Sequence, residues 1–210
     1  MRDASNGQGI REHVLLFSRF LRSPRTVGAV TASSRALADA MVRDLDLGHP
    51  GRIIELGPGT GAFTSAIVDG LGAGTEFLAI DIDSEFVKQI QKRFPAIDCV
   101  CASAENLEAI ARDRGLWPVD HIVSGLPFVS LPQPMTKQIL EGVQHSLRPG
   151  GTFTTFQYVH GYGLPSAIAF RRAMSEKLGG PPRVRLVLRN IPPALVLTWQ
   201  KAEESKGAAR

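Results

Sequence analysis

A carboxylate and a glycine-rich turn lie together early in the chain. Glu55 ends an apolar run, and Gly57, Gly59 and Gly61 follow it at every second position. Such a turn lets the backbone approach a ligand closely, and the helix start behind it offers free N–H groups. Asp81 closes the next apolar run, 20 residues after Gly61. This spacing is typical of a nucleoside-binding crevice at the edge of a parallel sheet.

The pattern predicts an adenosine cofactor, and its acidic residues favour S-adenosylmethionine. Glu55 can hold the methionine ammonium, directly or through water, whereas it would repel a pyrophosphate. The turn also satisfies the dinucleotide pattern that ends in alanine, so the glycines alone leave both ligands open. Asp81 would accept hydrogen bonds from the ribose hydroxyls. Ser103 and Ala104 are expected to lie beside the adenine, and Ser103 or Glu105 would accept a hydrogen bond from its amino group.

Short apolar runs alternate with helical patterns from residue 52 onward, which predicts a parallel sheet with helical crossovers. The runs 183–189 and 194–200 are joined by four residues and predict an antiparallel hairpin. This plan resembles that of class I methyltransferases. We therefore predict an α/β fold, a doubly wound seven-stranded sheet, mostly parallel with a C-terminal antiparallel hairpin, plus N-terminal helices. The other predicted strands are 52–56, 76–80, 97–101, 119–123 and 152–159, and the predicted helices are 33–43, 61–70, 84–93, 104–112, 133–147 and 165–178.

The length of 210 residues suits one domain with a sizeable core. We divide the chain into a helical arm at 1–48, a methyltransferase domain at 49–200 and a polar tail at 201–210. No apolar run approaches the roughly 20 residues that span a bilayer. The polar N-terminus does not resemble a signal peptide, which predicts a cytoplasmic protein. No metal is expected.

Positive charge is concentrated at both ends of the chain. Residues 1–25 hold five Arg against two acids, and residues 171–210 hold nine Lys or Arg against three acids. The formal net charge is only +4, so the middle of the chain is acidic. This asymmetry suggests an anionic partner, either membrane or nucleic acid. A solvated surface without a partner is the alternative.

Residues 10–22 form a basic amphipathic pattern. Apolar side chains recur at i, i+4, i+7 and i+11, and Arg11, Arg19 and Arg22 lie opposite them. The pattern is typical of a helix on a membrane surface, and also of one docked on its own domain. Ser33 or Ser34 is the expected N-cap of the next helix.

The predicted fourth strand ends in Ser124, Gly125, Leu126, Pro127 and Phe128, where this fold faces the transferred methyl. Ser124 completes the predicted cofactor contacts. The region resembles the ribosomal RNA adenine dimethylases, which carry Asn-Leu-Pro-Tyr or Asn-Leu-Pro-Phe here. Gly125 stands where their asparagine accepts from the base amine. This glycine argues against base methylation. Phe128 keeps the aromatic position of the element and would form one wall of the site.

The chain also resembles the bacterial phospholipid N-methyltransferases of the soluble, membrane-associating type, which convert phosphatidylethanolamine to phosphatidylcholine. The resemblance implies S-adenosylmethionine, phosphatidylethanolamine and peripheral association with the inner face of the plasma membrane through the basic helix, with nucleic acid not expected. It rests on residues 20–37, 55–63, 124–128, 147–163 and 189–194.

His160, in the Tyr-Val-His-Gly element of that resemblance, is the candidate general base, because its unperturbed pKa is near neutral. A structural role is the alternative for a histidine in a loop. Phe128, Tyr158 and Tyr162 offer aromatic faces that stabilise an ammonium cation. With His160, Tyr158 and Phe128 form the predicted catalytic set.

Arg171 and Arg189 could meet a lipid phosphate, or lie on a solvated face. Thr31 and Ser33 are expected near the methyl end of the cofactor, since the family's N-terminal segment lies there, although capping competes for the serine. Three other functions stay open: RNA adenine methylation, methylation of a soluble amine, and a binding module without activity.

Overall fold

The structure is a computed structural model and describes residues 34–49 and 51–203. Thr31, Ser33 and the predicted basic helix at 10–22 lie outside the described residues, as do residues 204–210. The strands in the described part of the chain are β1 (Arg52–Leu56), β2 (Glu76–Asp81), β3 (Asp98–Cys101), β4 (Val119–Ser124), β5 (Leu147–Tyr158), β6 (Arg183–Val187) and β7 (Ala194–Gln200). These seven form one sheet in the order β3-β2-β1-β4-β5-β7-β6.

The sheet is parallel from β3 to β5, and β7 runs antiparallel to both of its neighbours. The predicted fold class is therefore confirmed, including the closing hairpin. Strand order reverses between β1 and β4, which places a crevice at their carboxyl ends. Because β7 is antiparallel, β6 runs in the same direction as β5. Its carboxyl end therefore lies at the same edge of the sheet as that crevice.

Helices cover both faces of the sheet, as the apolar composition of the central strands requires. The described helices are α1 (Arg35–Val42), α2 (Ala62–Gly70), α3 (Ser84–Arg93), α4 (Leu107–Asp113), α5 (Gln133–Ser146) and α6 (Pro165–Leu178), with 3-10 turns at Ala104–Asn106 and Val159–Gly161. On one face, α1, α2 and α3 bury Leu37, Ile67 and Ile90 against the sheet. On the other, α4, α5 and α6 bury Leu107, Ile139 and Phe170.

Helix α1 lies within the predicted arm, yet it packs into the core of the sheet domain. Its N-cap is Ser34, whose Oγ accepts from the Leu37 N–H at 3.2 Å. The Ser34 N–H donates to Oδ1 of Asn190 at 3.0 Å, and Nδ2 of Asn190 donates to the Pro192 carbonyl at 2.7 Å. The buried Asn190 therefore holds the start of α1 against the turn between β6 and β7.

Strand β5 begins five residues earlier than the predicted 152. Leu147 pairs with Val119, and the register shifts before His121 pairs with Thr152. The Gly150 N–H donates to the Lys201 carbonyl at 2.9 Å. Backbone pairing extends the strand through a segment whose proline and glycines resemble a turn in sequence. Lys201, at the start of the predicted tail, is thereby held against the sheet.

Candidate active site

The glycine turn wraps the carboxyl end of β1. Gly57, Gly59 and Gly61 all have positive φ, at 70°, 52° and 82°, a region in which glycine is strongly favoured. At Gly57 the turn is also crowded, because a Cβ there would lie 2.7 Å from Cδ2 of Leu126. Gly61 is the N-cap of α2. The turn thus leads directly from the strand into a helix N-terminus, as the sequence predicts.

Asp81 links the turn to the end of β2. Its Oδ2 accepts from the Gly59 N–H at 3.1 Å, and its Oδ1 accepts from the Asp83 N–H at 2.9 Å. Each carboxylate oxygen keeps a second lone pair, which can accept from a ribose hydroxyl. Burial raises the pKa of Asp81, while the backbone N–H groups lower it in part.

Glu55 is fully buried beneath the turn. Its Oε2 accepts from Oγ1 of Thr64 at 2.7 Å, and its Oε1 has no hydrogen-bond partner among residues 34–49 and 51–203. The pKa of Glu55 is raised to about 8, mainly by burial and in part by the nearby Asp81, against the hydrogen bond from Thr64. A buried acid with an orphaned oxygen fits a cationic group placed at the turn, either directly or through a water.

A cavity of about 670 Å³, part of it open to solvent, follows the carboxyl ends of β1 to β4. Of the predicted cofactor residues, Gly57, Gly59, Asp81, Ser103 and Ala104 line it. The remaining lining residues are apolar: Ile80, Ile82, Phe86, Ala102, Gly125, Leu126, Pro127, Leu131, Met135 and Ile139.

Three predicted cofactor residues lie behind this lining. Glu55 and Ser124 are fully buried, and Gly61 begins α2. Oγ of Ser124 accepts from the Leu126 N–H at 3.2 Å, so this serine shapes the turn after β4. Ser103 donates to Oε2 of Glu105 at 2.9 Å. Ser103 and Glu105, which the sequence offered as alternatives for the adenine amine, therefore form one hydrogen-bonded unit.

Part of the cavity wall was not predicted from the sequence. Met135 and Ile139 lie four residues apart on α5 and face the cavity together with Leu131. The signal was available, because an apolar i, i+4 pair follows directly after the Gly125 to Phe128 element. Thr64, nine residues after Glu55, was missed as well, since nothing local links a helix threonine to a strand carboxylate.

The predicted catalytic aromatics do not line the cofactor cavity. The Phe128 ring is buried and stacks on Phe170, with ring centres 4.4 Å apart. It borders a second cavity, between α5 and α6, instead of the first. The backbone between Gly125 and Phe128 turns the ring into the core, so the aromatic wall predicted for this residue faces the helices.

Tyr158 and His160 lie together at the end of β5. Their rings stack with centres 5.6 Å apart and an angle of 10° between the planes. His160 is exposed, and burial raises the pKa of Tyr158. The pair occupies the carboxyl edge one strand beyond Gly125, on the side away from the glycine turn.

Arg171 and Arg189 differ in their surroundings. Nη1 of Arg171 donates to Oε1 of Gln157 at 2.7 Å and to the Tyr162 carbonyl at 2.8 Å, and its guanidinium lies 3.7 Å from the centre of the Tyr162 ring. Arg171 therefore holds the loop after β5. Arg189 is exposed at the turn between β6 and β7.

Comparison with known proteins agrees with this site. Residues 54–153 match the sequence model of a family described as a methyltransferase domain. A 1,6-didemethyltoxoflavin N1-methyltransferase from Burkholderia thailandensis, solved with its substrate and S-adenosylhomocysteine, has a TM-score of 0.67 at 16% identity, and the match covers 97% of this chain and 92% of that one. The chain thus has the fold of the class I S-adenosylmethionine-dependent methyltransferases, and the family match over residues 54–153 supports S-adenosylmethionine as the cofactor.

Two curated relatives act on different substrates. An ornithine lipid N-methyltransferase from Singulisphaera acidiphila is 27% identical over 147 residues, which are 69% of this chain and 77% of the relative. A ribosomal RNA small subunit methyltransferase A from Synechococcus elongatus is 27% identical over 125 residues, which are 55% of this chain and 42% of the relative. The chain therefore spans less than half the length of that RNA enzyme.

The described part of the chain has neither a metal-binding cluster nor a membrane-spanning helix. No group of three or more His, Cys, Asp or Glu side chains in residues 34–49 and 51–203 could hold a metal ion. No helix within these ranges is long and apolar enough to cross a membrane.

Proposed function

We propose that this protein transfers a methyl group from S-adenosylmethionine to the amine of a membrane lipid, with phosphatidylethanolamine as the expected substrate. The observation that carries the proposal is Gly125. A Cβ at this position would lie 2.7 Å from the carbonyl oxygen of Gly57. The turn after β4 packs so closely on the glycine turn that the asparagine of the RNA adenine dimethylases does not fit here. This contact supports an amine substrate that needs no amide acceptor.

The similarity to an ornithine lipid N-methyltransferase supports the lipid class from another direction. That match spans most of both chains, whereas the ribosomal RNA relative is matched over less than half of its length. An ornithine lipid and phosphatidylethanolamine are both amine-bearing lipids. The comparison therefore supports the lipid amine, and the choice of phosphatidylethanolamine rests on the resemblance in residues 20–37, 124–128 and 147–163.

Bound S-adenosylmethionine would supply a methyl group activated on a sulfonium. The lipid nitrogen must be neutral to attack it, so a proton has to leave the ammonium first. In the proposed reaction the nitrogen–carbon bond forms as the carbon–sulfur bond breaks, and the positive charge passes from sulfur to nitrogen. Glu55 and Asp81 would orient the cofactor. Tyr158 would face the new cation, and His160 would accept the proton.

The direct test uses the purified full chain with labelled S-adenosylmethionine and vesicles of phosphatidylethanolamine and phosphatidylglycerol. We expect label in phosphatidylethanolamine. Parallel reactions contain vesicles with an ornithine lipid, ribosomal RNA, or ethanolamine. Label only in the ornithine lipid would support a lipid substrate but show that phosphatidylethanolamine is not the one methylated. Label only in RNA or ethanolamine, from a protein that binds S-adenosylhomocysteine by calorimetry, would overturn the proposal.

The proposed base is tested by His160→Gln, with the exposed His145→Gln as the matched control. Loss of a general base is expected to lower kcat by about 100-fold at pH 7. Activity should recover in part at higher pH, where more of the lipid amine is already neutral. An equal loss at every pH would assign His160 a positioning role instead.

A further inference from the structure

Exposed large apolar side chains are concentrated in one stretch of the described chain. Among residues 34–49 and 51–203, eight large hydrophobic side chains are exposed, and seven of them lie between residues 159 and 191. Scattered exposed apolar residues are ordinary on protein surfaces, but a contiguous group marks an interaction site. The eighth, Trp117, precedes β4 and therefore lies at the opposite edge of the sheet.

Two loops bring part of this group to the edge of the sheet that holds the cofactor cavity. Leu188 and Ile191 lie in the turn between β6 and β7 and are 70% and 74% exposed. Val159 and Leu164 lie in the loop after β5, and the Val159 N–H donates to the carbonyl of Pro193 at 2.9 Å. We call Val159, Leu164, Leu188 and Ile191 the apolar rim.

The charges around the apolar rim favour an anionic partner. Residues 156–202 contain seven Lys or Arg and a single acid, Glu176. Oε1 of Glu176 already accepts from Arg172 at 2.8 Å. Arg189 is exposed between Leu188 and Asn190, at the tip of the turn. Arg185 and Lys177 also have acidic partners, Asp44 and Glu141, but the segment keeps an excess of positive charge. Exposed aliphatic side chains beside basic ones are complementary to the interface of an anionic bilayer.

We infer that the apolar rim inserts into an anionic phospholipid surface and holds the cavity mouth against it. The inference rests on the proposed function and adds a second lipid contact, in the described part of the chain, to the basic N-terminal helix. Neighbouring strands lie about 4.8 Å apart, so the turn after β6 is on the order of 10–15 Å from the end of β4. A lipid can therefore present its head group near Gly125 while its acyl chains stay in the bilayer.

The experiment compares the full chain with the double variant Leu188→Ser and Ile191→Ser. Vesicles of phosphatidylglycerol and phosphatidylethanolamine are sedimented with each protein. We expect the double variant to bind them at least about tenfold more weakly, because two exposed aliphatic side chains no longer enter the interface. Trp117→Ser, at the opposite edge of the sheet, should bind like the unaltered chain. Unchanged S-adenosylhomocysteine binding verifies the fold of each variant.

A second substrate separates this inference from the proposed function. Short-chain phosphatidylethanolamine below its critical micelle concentration reaches the site without a membrane. The double variant should methylate it at the rate of the unaltered chain while losing at least about tenfold on vesicles. If the unaltered chain methylates neither form, the proposed function fails. If it methylates both and the double variant binds vesicles equally well, the inference about the apolar rim fails alone.

Two other occupants of the apolar rim would overturn the inference. A lower unfolding temperature of the double variant, with vesicle binding unchanged, would show that the rim packs against another part of the chain. A dimer of the unaltered chain in sedimentation velocity without lipid, dissociated in the double variant, would show that the rim joins two copies of this chain.

Discussion

Two regions along the carboxyl edge of the sheet differ in their exposure. In the first, at the ends of β1 to β3, the acids Glu55 and Asp81 are buried and accept hydrogen bonds within the chain. In the second, beyond β4, the candidate site residues are largely exposed to solvent. Glu55 and Asp81 accept from Thr64 and from backbone N–H groups. His160, Arg189 and the apolar rim are exposed. The first region is thus fixed by hydrogen bonds within the chain, whereas the second is open to a partner. Under the proposed function, the first region would hold the cofactor and the second would receive the substrate.

Gly125 lies at the boundary between these two regions, and its substitution should have the largest effect. Gly125→Asn places a side chain against the Gly57 carbonyl, so methyl transfer to lipid should fall below detection. Stability should fall by about 1–3 kcal/mol, as measured by urea unfolding. Gly180→Asn is the control, because a Cβ there meets nothing within 4 Å. Methylation of ribosomal RNA by Gly125→Asn would contradict the steric argument.

The next largest effect tests the rigidity of the first region. In Asp81→Asn, an amide nitrogen that donates replaces one carboxylate oxygen that accepts from a backbone N–H. A hydrogen bond to a charged group contributes about 1.5–3 kcal/mol to stability or binding. We expect S-adenosylhomocysteine to bind at least about 100-fold more weakly by calorimetry. Asp113→Asn, on the exposed end of α4, should bind normally. Unchanged binding by Asp81→Asn would remove this carboxylate from the site.

The raised pKa of Glu55 makes cofactor binding depend on pH. At pH 7 the empty site holds Glu55 protonated, because its pKa is about 8. The cofactor's ammonium favours the carboxylate, so binding should release a proton, and affinity should rise as pH approaches 8. Calorimetry at pH 7 in buffers of different ionisation enthalpy measures this release. Glu55→Gln should abolish it and Glu85→Gln should not; release by both variants would locate the titrating group elsewhere.

Glu55 also links stability to pH, with a definite sign. Its carboxyl ionises near pH 4.5 when unfolded and near 8 when folded, so the folded state binds more protons between these values. The free energy of unfolding should therefore fall as pH rises from about 4.5 to 8, relative to Glu55→Gln. Urea unfolding of both proteins at pH 5 and pH 8 checks the sign.

The smallest expected effect concerns the second region. Asn190→Ala removes the acceptor of the Ser34 N–H and the donor to Pro192, which should cost about 1–3 kcal/mol of stability. Cofactor binding should be unchanged, because Asn190 lies outside the cavity lining. Asn106→Ala is the control, since the exposed Asn106 makes no capping hydrogen bond. A strong loss of cofactor affinity in Asn190→Ala would show that the two regions are coupled.

The cofactor region was easier to predict from the sequence than the region beyond β4. The turn from Gly57 to Gly61 and Asp81 were predictable because strand ends and positive φ dictate residue type locally. The burial of Phe128 was not, because it depends on Phe170, which is distant in sequence. The early start of β5 was hidden as well, since backbone pairing with Lys201 overrides the turn propensity of Pro149 and Gly150.

The hydrogen bond from Ser34 to Asn190 has a consequence for attachment to a surface. It fixes the point where residues 1–33 join the domain, directly beside Leu188 and Ile191. Under the proposed function, the predicted basic helix and the apolar rim would be two membrane-binding modules of one chain. Once either module is bound, the other binds at a high effective concentration, and avidity replaces individual affinity. Each contact can then be weak and quickly reversible while the pair retains the enzyme on its membrane.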